Sequence, residues 1–206
     1  MKHRIYILLL IIAAGISKSP MVFAAGKPLT DLNVITYSQG KWGGQKSEEL
    51  KMIFDRYFPE GLIIGTENKI VFTDPSEIEK FLPSGMSSKP LPFGQMTNPG
   101  MVYKNALAGE TLTLALNLAL DHYRREGLVS LAELVIREGE MKGKTVSELF
   151  REANRKLGGG YSVYSFDILT EALYAVNRNF NEQGIDKGYL GSVFEQENLR
   201  ASANNK

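Results

Sequence analysis

The chain has 206 residues, of which 43% are hydrophobic and 23% are charged, and its formal net charge is +1. This is ordinary globular composition, and a nearly neutral chain offers no field that would attract nucleic acid or an anionic membrane surface. Cysteine is absent, which excludes disulfides, lipid attachment through cysteine, thiolate zinc sites and a cysteine nucleophile. We expect a fold that is held together by packing, without a cofactor or a metal.

The first segment, Met1–Ala24, has the pattern of a secretory signal peptide. The basic start Lys2–Arg4 precedes the apolar run Ile5–Ile16, and Val22–Ala24 supplies small residues ahead of a cleavage position. The apolar run is shorter than the roughly 20 residues that a membrane-spanning helix needs. We therefore expect a mature chain that begins at Ala25, is secreted or periplasmic, and does not insert into a membrane.

Beyond the signal peptide the sequence predicts three parts. We expect a loose N-terminal segment over residues 25–35, a single globular domain over residues 36–183, and a polar C-terminal tail over residues 184–206. The pattern of elements predicts an α+β fold that is mostly helical, with a long buried central helix and a small β-hairpin.

The domain is predicted to open with a strand, a turn and a helix. Val34–Tyr37 is rich in β-forming residues and leads into the glycine-rich turn Ser38–Gly44. Ser47–Tyr57 then carries apolar residues at helical spacing. After this helix, Leu62–Ile64 and Ile70–Phe72 are two β-rich runs with a short polar connection, which predicts the hairpin.

A short helix and a long loop are predicted next. Asp74 is suited to cap a helix, Pro75 to its first position, and Glu77 to closing a capping box. Pro83 ends this helix. The following stretch, Pro83–Gly100, is so rich in proline and glycine that we expect an exposed loop, and long loops of this kind are often functional.

Asn105–Tyr123 is the most apolar stretch after the signal peptide. Its leucines alternate, which also fits a strand, but its length and its lack of β-branched residues other than threonine favour a helix. Leucine on every side of a helix indicates burial. We therefore expect Leu112, Leu116 and Ala119 to be nearly inaccessible in the centre of the core.

The last third of the sequence predicts two further helices. Leu131–Ile136 is compatible with either a short strand or a helical turn. Thr145–Glu148 has the pattern of a capping box, and the helix that it begins should end at Gly158–Gly160. The final helix is expected over Phe166–Asn181.

Several short motifs occur in order between Thr36 and Asn181, beginning with Tyr37–Gly43. The later motifs are Gly61–Gly65, Phe72–Thr73, Phe81–Gly85, Leu107–Leu112, Leu116–Asn117, Gly143–Val146, Ala153–Asn154, Leu157–Gly159 and Asn177–Phe180. Together they resemble an uncharacterised secreted bacterial surface or periplasmic module that opens with a Thr-Gln-Gly-x-Trp-type turn. The resemblance implies an exported or cell-surface location and no established activity. This chain differs in lacking a cysteine near the opening turn.

Two patterns suggest catalysis or metal binding but fit structural roles better. His122 is the only histidine after the signal peptide, and its neighbour Asp121 would project about 100° away on a helix, so we favour a helix-end role. Asn177–Asn181 has the 1-3-5 spacing of a calcium loop. However, Glu182 and Gly188 stand where such a loop needs a glycine and an acid, so we favour a helix end here too.

Carboxylates leave one enzymatic alternative open. A glycosidase needs two carboxylates about 5–10 Å apart in one cleft, and sequence alone cannot show whether any two converge. The acidic residues considered are Glu48, Glu49, Asp55, Glu133, Glu138 and Glu140. We expect most of them to be solvated charges, and we keep a secreted carboxylate-dependent hydrolase as the alternative function.

Two segments are candidates for binding. The opening turn offers Tyr37, Gln39 and Trp42, because an aromatic residue on a glycine turn can stack on a sugar or anchor a protein. The long loop offers Lys89 and Phe93. We favour the view that Trp42 packs in the core and that the loop carries any recognition. The first functional hypothesis is thus a non-catalytic exported module that binds an unknown protein or glycan at the cell envelope. A structural envelope subunit, recognisable by a large exposed apolar patch, is a third possibility.

Overall fold

The structure is a computed structural model that describes residues 34–43, 47–85, 87–124, 129–180 and 182–192. The predicted signal peptide lies outside these ranges. Within them the chain forms six α-helices, a three-stranded sheet and a two-stranded sheet. This confirms the α+β, mostly helical fold class.

The elements follow one another in a mixed order along the chain. The helices are α1 (Gln39–Trp42), α2 (Glu48–Tyr57), α3 (Pro75–Phe81), α4 (Ala106–Arg124), α5 (Val146–Leu157) and α6 (Phe166–Val176). The strands are β1 (Leu62–Gly65), β2 (Lys69–Phe72), β3 (Gln95–Thr97), β4 (Val135–Ile136) and β5 (Leu190–Gly191). Leu131–Glu133 is a single turn of 3-10 helix just before β4, so both readings of that segment apply.

The long helix α4 lies at the centre of the core. Leu112 and Leu116 are fully buried and Ala119 nearly so, as predicted. Helices α2, α5 and α6 all pack against α4, which explains why its sequence is apolar on every side rather than along one stripe.

The larger sheet has the order β1–β2–β3. Strands β1 and β2 form the predicted antiparallel hairpin, with Leu62 opposite Phe72. Strand β3 was not predicted; it lies inside the expected loop Pro83–Gly100 and pairs in parallel with β2, Val71 standing opposite Thr97. The expectation of a loop is therefore wrong near the end of this segment, where β3 forms.

Local side-chain caps set the helix starts much as predicted. The Glu148 N–H donates to Thr145 Oγ1 at 3.2 Å, and the Thr145 N–H donates back to Glu148 Oε2 at 2.8 Å, which is the capping box of α5. Asp74 caps α3 by accepting a backbone N–H two residues on. The Glu77 carboxylate instead accepts a hydrogen bond from Lys80 Nζ at 2.6 Å.

The last helix, α6, ends at Val176 rather than at Asn181 as predicted. Asn177 is fully buried, and its amide donates to both the carbonyl and the carboxylate of Glu110 on α4. After it, the N–H groups of Arg178 and Asn179 donate to carbonyls three residues back, and the Phe180 N–H donates to Thr36, so the α-helical bonding pattern ends.

The packed part of the chain extends beyond the expected domain limits of 36 and 183. At the start, Val34 is buried in the core. The Thr36 N–H donates to the Phe180 carbonyl at 3.2 Å, so the first described segment lies beside the end of α6. In the expected tail, β5 pairs antiparallel with β4, and Leu190 is fully buried. The fold therefore includes residues up to Gly191.

No helix in the part of the chain that the structure describes is both long enough and apolar enough to cross a membrane.

Candidate functional site

The predicted turn residues lie inside the protein. Tyr37 and Gln39 are buried, and Trp42 is only 1% exposed. The rings of Tyr37 and Trp42 meet edge to face with their centroids 5.0 Å apart. The indole Nε1 donates to Asn117 Oδ1 on α4 at 3.1 Å. This confirms the expectation that Trp42 packs in the core, and it places the turn against α4 rather than at a surface.

Tyr37 also links the turn to helices α2 and α4 through its hydroxyl. Burial, followed by a hydrogen bond with Glu49, raises the pKa of Tyr37 to about 12. Glu49 in turn accepts a hydrogen bond from Arg124 at the end of α4. The phenol therefore stays neutral and donates a hydrogen bond to Glu49 on α2, which in turn is bonded to Arg124 on α4.

Gln39 leads to a carboxylate that sequence analysis missed. Glu110 on α4 is 3% exposed. Its Oε1 accepts from Gln39 Nε2 at 2.7 Å and from Arg178 Nη1 at 3.4 Å, while Oε2 accepts from Asn177 Nδ2 at 2.7 Å. A single acidic residue within a run of leucine and alanine was the signal that could have identified it.

Together with Asn117, the residues Gln39, Glu110 and Asn177 form a buried polar cluster. Its hydrogen bonds connect the opening turn, α4 and the end of α6. Asn117 Nδ2 donates to the Tyr37 carbonyl at 2.9 Å and to Asn177 Oδ1 at 3.0 Å. Gln39 Oε1 accepts the Ser84 N–H at 2.7 Å, which joins the start of the long loop to the same cluster. Among the buried side-chain polar atoms that the structure describes, only Thr113 Oγ1 lacks a partner. The hydrogen-bonding capacity of this cluster is thus used within the protein.

The two predicted loop residues lie at the surface on a firmly held segment. Phe93 is 100% exposed, and Lys89 places its Nζ 5.7 Å from the centroid of the Tyr103 ring. Between them, Leu91 is buried and its N–H donates to the Leu157 carbonyl at 2.9 Å. The Lys89 carbonyl accepts from Asn105 Nδ2 at 2.8 Å. The segment therefore presents Phe93 from a fixed backbone.

Immediately after Phe93, β3 forms the open edge of the larger sheet. The Lys69 N–H donates to the Gly94 carbonyl at 2.9 Å, and the Asn98 N–H donates to the Val71 carbonyl at 2.9 Å. In a parallel ladder with this register, residues 94, 96 and 98 face β2. The backbone N–H and C=O groups of Gln95 and Thr97 consequently point away from the sheet, and both residues are exposed.

The opposite edge of the same sheet is covered. The N–H of Gly65, at the end of β1, donates to Asn154 Oδ1 on α5 at 2.8 Å. The turn between β1 and β2 is bonded to the residue after α5, because the Asn68 N–H donates to the Gly158 carbonyl at 3.3 Å. The end of the β1 edge is thus bonded to α5, whereas among the residues that the structure describes none bonds to the outward backbone groups of β3.

Two more large apolar side chains follow β3. Met101 is 77% exposed and Val102 is 95% exposed. Phe93 therefore precedes the open strand and this pair follows it. Single exposed apolar side chains are common on protein surfaces, but here three of them flank one unpaired edge.

The six acidic residues that were considered for a hydrolase lie in different parts of the structure. Glu133 closes a capping box with Ser130 at the 3-10 turn, and Glu48 and Glu49 occupy the first turn of α2. Glu138 and Glu140, together with Glu171 on α6, lie around one cleft of about 310 Å³. The remaining acidic residue of the predicted set, Asp55, is exposed on α2.

The two patterns that suggested catalysis or calcium have structural partners. His122 is exposed, with its ring centroid 5.5 Å from that of Tyr57 and in an edge-on arrangement. Asn177 faces the buried cluster, and Asn179 Nδ2 donates to Asp186 Oδ1 at 2.8 Å. Over the ranges that the structure describes, no three residues of the metal-binding types are grouped so that they could hold an ion.

Comparisons of the chain with protein-family models, with curated proteins and with solved structures found no match. The resemblance to a secreted bacterial module therefore stays a prediction.

Proposed function

We propose that this chain is an exported protein-interaction module that binds an extended segment of a partner polypeptide along the open edge of β3. The observation that carries the proposal is the outward-facing backbone of Gln95 and Thr97. An exposed edge strand presents unpaired N–H and C=O groups at strand spacing, which an added strand can satisfy.

The edge strand has no charged residue and no proline, and the protective device that it does show is its short length of three residues. Natural edge strands are commonly protected by a charged side chain, a proline, a bulge or a covering element. Within β3 the residues are Gln95, Met96 and Thr97, none of which is charged or a proline. The end of β1 shows the contrast, because there Asn154 occupies the backbone donor of Gly65.

The flanking apolar side chains supply the second part of the contact. In the sequence, Phe93 stands two positions before β3, and Met101 and Val102 follow it within five positions, so we propose that an added strand also contacts these exposed side chains. Main-chain hydrogen bonds of such an added strand provide affinity, and contacts with alternate side chains provide specificity. A partner polypeptide accounts for both the backbone groups at strand spacing and the apolar residues, and a glycan has no regular backbone that would match that spacing.

Selection from a phage-displayed library of random 12-residue peptides tests this proposal. We expect enriched peptides whose affinity, measured by fluorescence polarisation, falls at least tenfold with Thr97→Pro. This variant removes one outward N–H while leaving the bonds from residues 94, 96 and 98 to β2 in place. Thr97→Val is the matched control, because it loses the hydroxyl but keeps the backbone donor, and it should bind normally.

The apolar contact is tested separately. Phe93→Ala should weaken the selected peptides severalfold without lowering the melting temperature, while Tyr161→Ala, which also truncates an exposed aromatic residue, should not affect binding. No enrichment, or enriched peptides that bind Thr97→Pro and wild type equally, would overturn the proposal. Binding to a glycan array that requires Phe93 but tolerates Thr97→Pro would identify a glycan partner instead.

Export is tested independently of binding. The intact mass of material recovered from outside the cytoplasm should correspond to a chain that begins at Ala25. A recovered mass that still includes Met1–Ala24 would contradict the predicted cleavage.

A further inference from the structure

A cleft on a different part of the surface has the lining of a site for a cation. It has a volume of about 310 Å³ and lies between the turn after β4, one side of α6 and the residue before β5. The residues that line it are Glu138, Gly139, Glu140, Met141, Ile168, Glu171, Ala172, Ala175 and Tyr189. Three of these are acidic and none is basic.

The floor of the cleft is apolar because of the spacing on α6. Ile168, Ala172 and Ala175 fall at i, i+4 and i+7, so they share one face of the helix. The two alanines are small enough to leave space above them. Met141, which is almost completely buried, completes the floor from the opposite side.

Acidic and aromatic groups surround this floor. Gly139 has a φ of +73°, a left-handed conformation that lets the chain turn sharply between Glu138 and Glu140. Burial, and then the charges of Glu138 and Glu171, raise the pKa of Tyr189. Both carboxylates are therefore close enough for their fields to act on the tyrosine at the cleft.

A second cleft, on α5 and the residues near it, provides a contrast. That cleft, of about 280 Å³, also has charged walls. Four of its five charged residues form ion pairs, Lys144 with Glu148 at 3.2 Å and Arg155 with Glu152 at 3.1 Å, and the fifth is the basic residue Arg151. The acidic cleft has no basic residue in its lining, so its negative charge favours a positively charged partner.

We propose that this cleft binds the side chain of a lysine that a partner protein presents. The four-carbon stem would lie over Ala172, Ala175 and Met141, and the ammonium group would lie among the glutamates and beside the Tyr189 ring. This matches the character of lysine, which combines an apolar stem with a compact charge. The site goes beyond the proposed function, because it is built on elements other than β3.

The same features favour lysine over other cations. A metal ion of this kind binds oxygen ligands and would gain nothing from contact with the apolar floor. Arginine favours carboxylates that are aligned for a planar contact through two hydrogen bonds. The volume is at the lower end of the range for small-molecule pockets. A single side chain held by its own polypeptide fits such an open cleft better than a free ligand does.

Methyl NMR titration of the purified protein with capped Gly-Lys-Gly tests the proposal. We expect the methyl signals of Met141, Ala172 and Ala175 to shift and to saturate at about millimolar peptide, which is typical of one side-chain contact. Capped Gly-norleucine-Gly, which keeps the stem and loses the charge, should cause no shift. Capped Gly-Arg-Gly should bind at least fivefold more weakly.

Variants separate the roles of charge and space. Glu138→Gln and Glu171→Gln should each weaken binding about three- to fivefold, as expected for exposed charge pairs. The matched control is Glu60→Gln, an exposed glutamate outside the cleft, which should bind as wild type does. Ala175→Leu should abolish binding by filling the cleft while all three carboxylates remain.

Three results would overturn the proposal. One is an absence of shifts with the lysine peptide, and another is binding that is unchanged in Glu138→Gln and Glu171→Gln. The third is that Ca²⁺ alone, or pentane-1,5-diamine at least tenfold more tightly than the peptide, produces the same shifts, which would identify a metal or free-amine site. Phe93→Ala should leave this titration unchanged, so failure at β3 and failure at the cleft are distinguishable.

Discussion

Trp42 and Asn117, 75 positions apart, are joined by a hydrogen bond from the indole Nε1 to the amide Oδ1 at 3.1 Å. The same oxygen accepts the Tyr37 N–H at 2.9 Å, and the Asn117 Nδ2 donates back to the Tyr37 carbonyl at 2.9 Å. One amide on the central helix thus bonds to the backbone and to a side chain of the opening turn. The conformation of that turn depends on α4.

Asn117→Ala should be strongly destabilising. It leaves the buried indole N–H and the Tyr37 backbone without partners, and each unsatisfied buried group costs about 1–3 kcal/mol. We expect the free energy of unfolding, measured by urea denaturation, to fall by roughly 3–5 kcal/mol. Gln95→Ala, which truncates an exposed amide, is the control and should change stability by less than about 0.5 kcal/mol. Similar losses for the two variants would contradict this.

Trp42→Ala should lower the free energy of unfolding by roughly 3–5 kcal/mol, because it removes a large buried side chain and leaves a cavity. Trp42 is the only tryptophan in the chain, so unfolding of the variant must be followed by circular dichroism. In the wild type, the emission of this one indole should shift to longer wavelength as urea exposes it. A variant of wild-type stability that has lost partner binding would place a binding site at the turn instead.

Leu116→Ala tests whether α4 is central. Leu116 is fully buried, and truncation of such a leucine costs about 2–5 kcal/mol. Its close neighbour Leu118 is only partly buried, so Leu118→Ala should cost clearly less in the same denaturation experiment. A loss below about 1 kcal/mol at Leu116 would show that the helix is peripheral.

The capping box of α5 predicts a pH dependence of stability. The Thr145 N–H bonded to Glu148 holds the pKa of that carboxyl below its usual value. The ionised carboxylate therefore stabilises the folded state above the unfolded-state pKa of about 4.3. This stabilisation is lost as the pH falls through the lower, folded-state pKa.

The measurement compares wild type with Glu148→Gln across pH. The difference in their free energies of unfolding should be constant from about pH 6 to 8 and should shrink below about pH 4. Glu60→Gln, at an exposed glutamate, provides the control and should show a much smaller change with pH. A Glu148 difference that stays constant down to pH 3 would refute the assignment.

The helices could be predicted because their determinants are local. The Thr145–Glu148 capping box lies within four residues, and the leucine pattern of Asn105–Tyr123 needs only its own length to indicate a buried helix. The hairpin was predicted for the same reason, since its two β-rich runs are adjacent in sequence. In each case the information lies inside the element that it specifies.

The unpredicted features depend on distant partners. β3 is only three residues long, so its polar-apolar-polar pattern is too short to indicate a strand, and its backbone partners on β2 lie more than twenty residues earlier. The chain at the end of α6 bonds to distant partners, Asn177 to Glu110, 67 positions away, and Phe180 to Thr36. The acidic cleft likewise combines Glu138 with Glu171 and Tyr189, so no local motif could have indicated it.

The contact between Thr36 and Phe180 has a consequence for how the chain matures. Their hydrogen bonds span 144 positions, so the first segment of the domain can dock only after α6 has left the ribosome. Such distant contacts form late and slow the closure of a fold. For a chain that we propose to be exported, this delay keeps the polypeptide open during synthesis, in the state that a narrow secretion channel can accept.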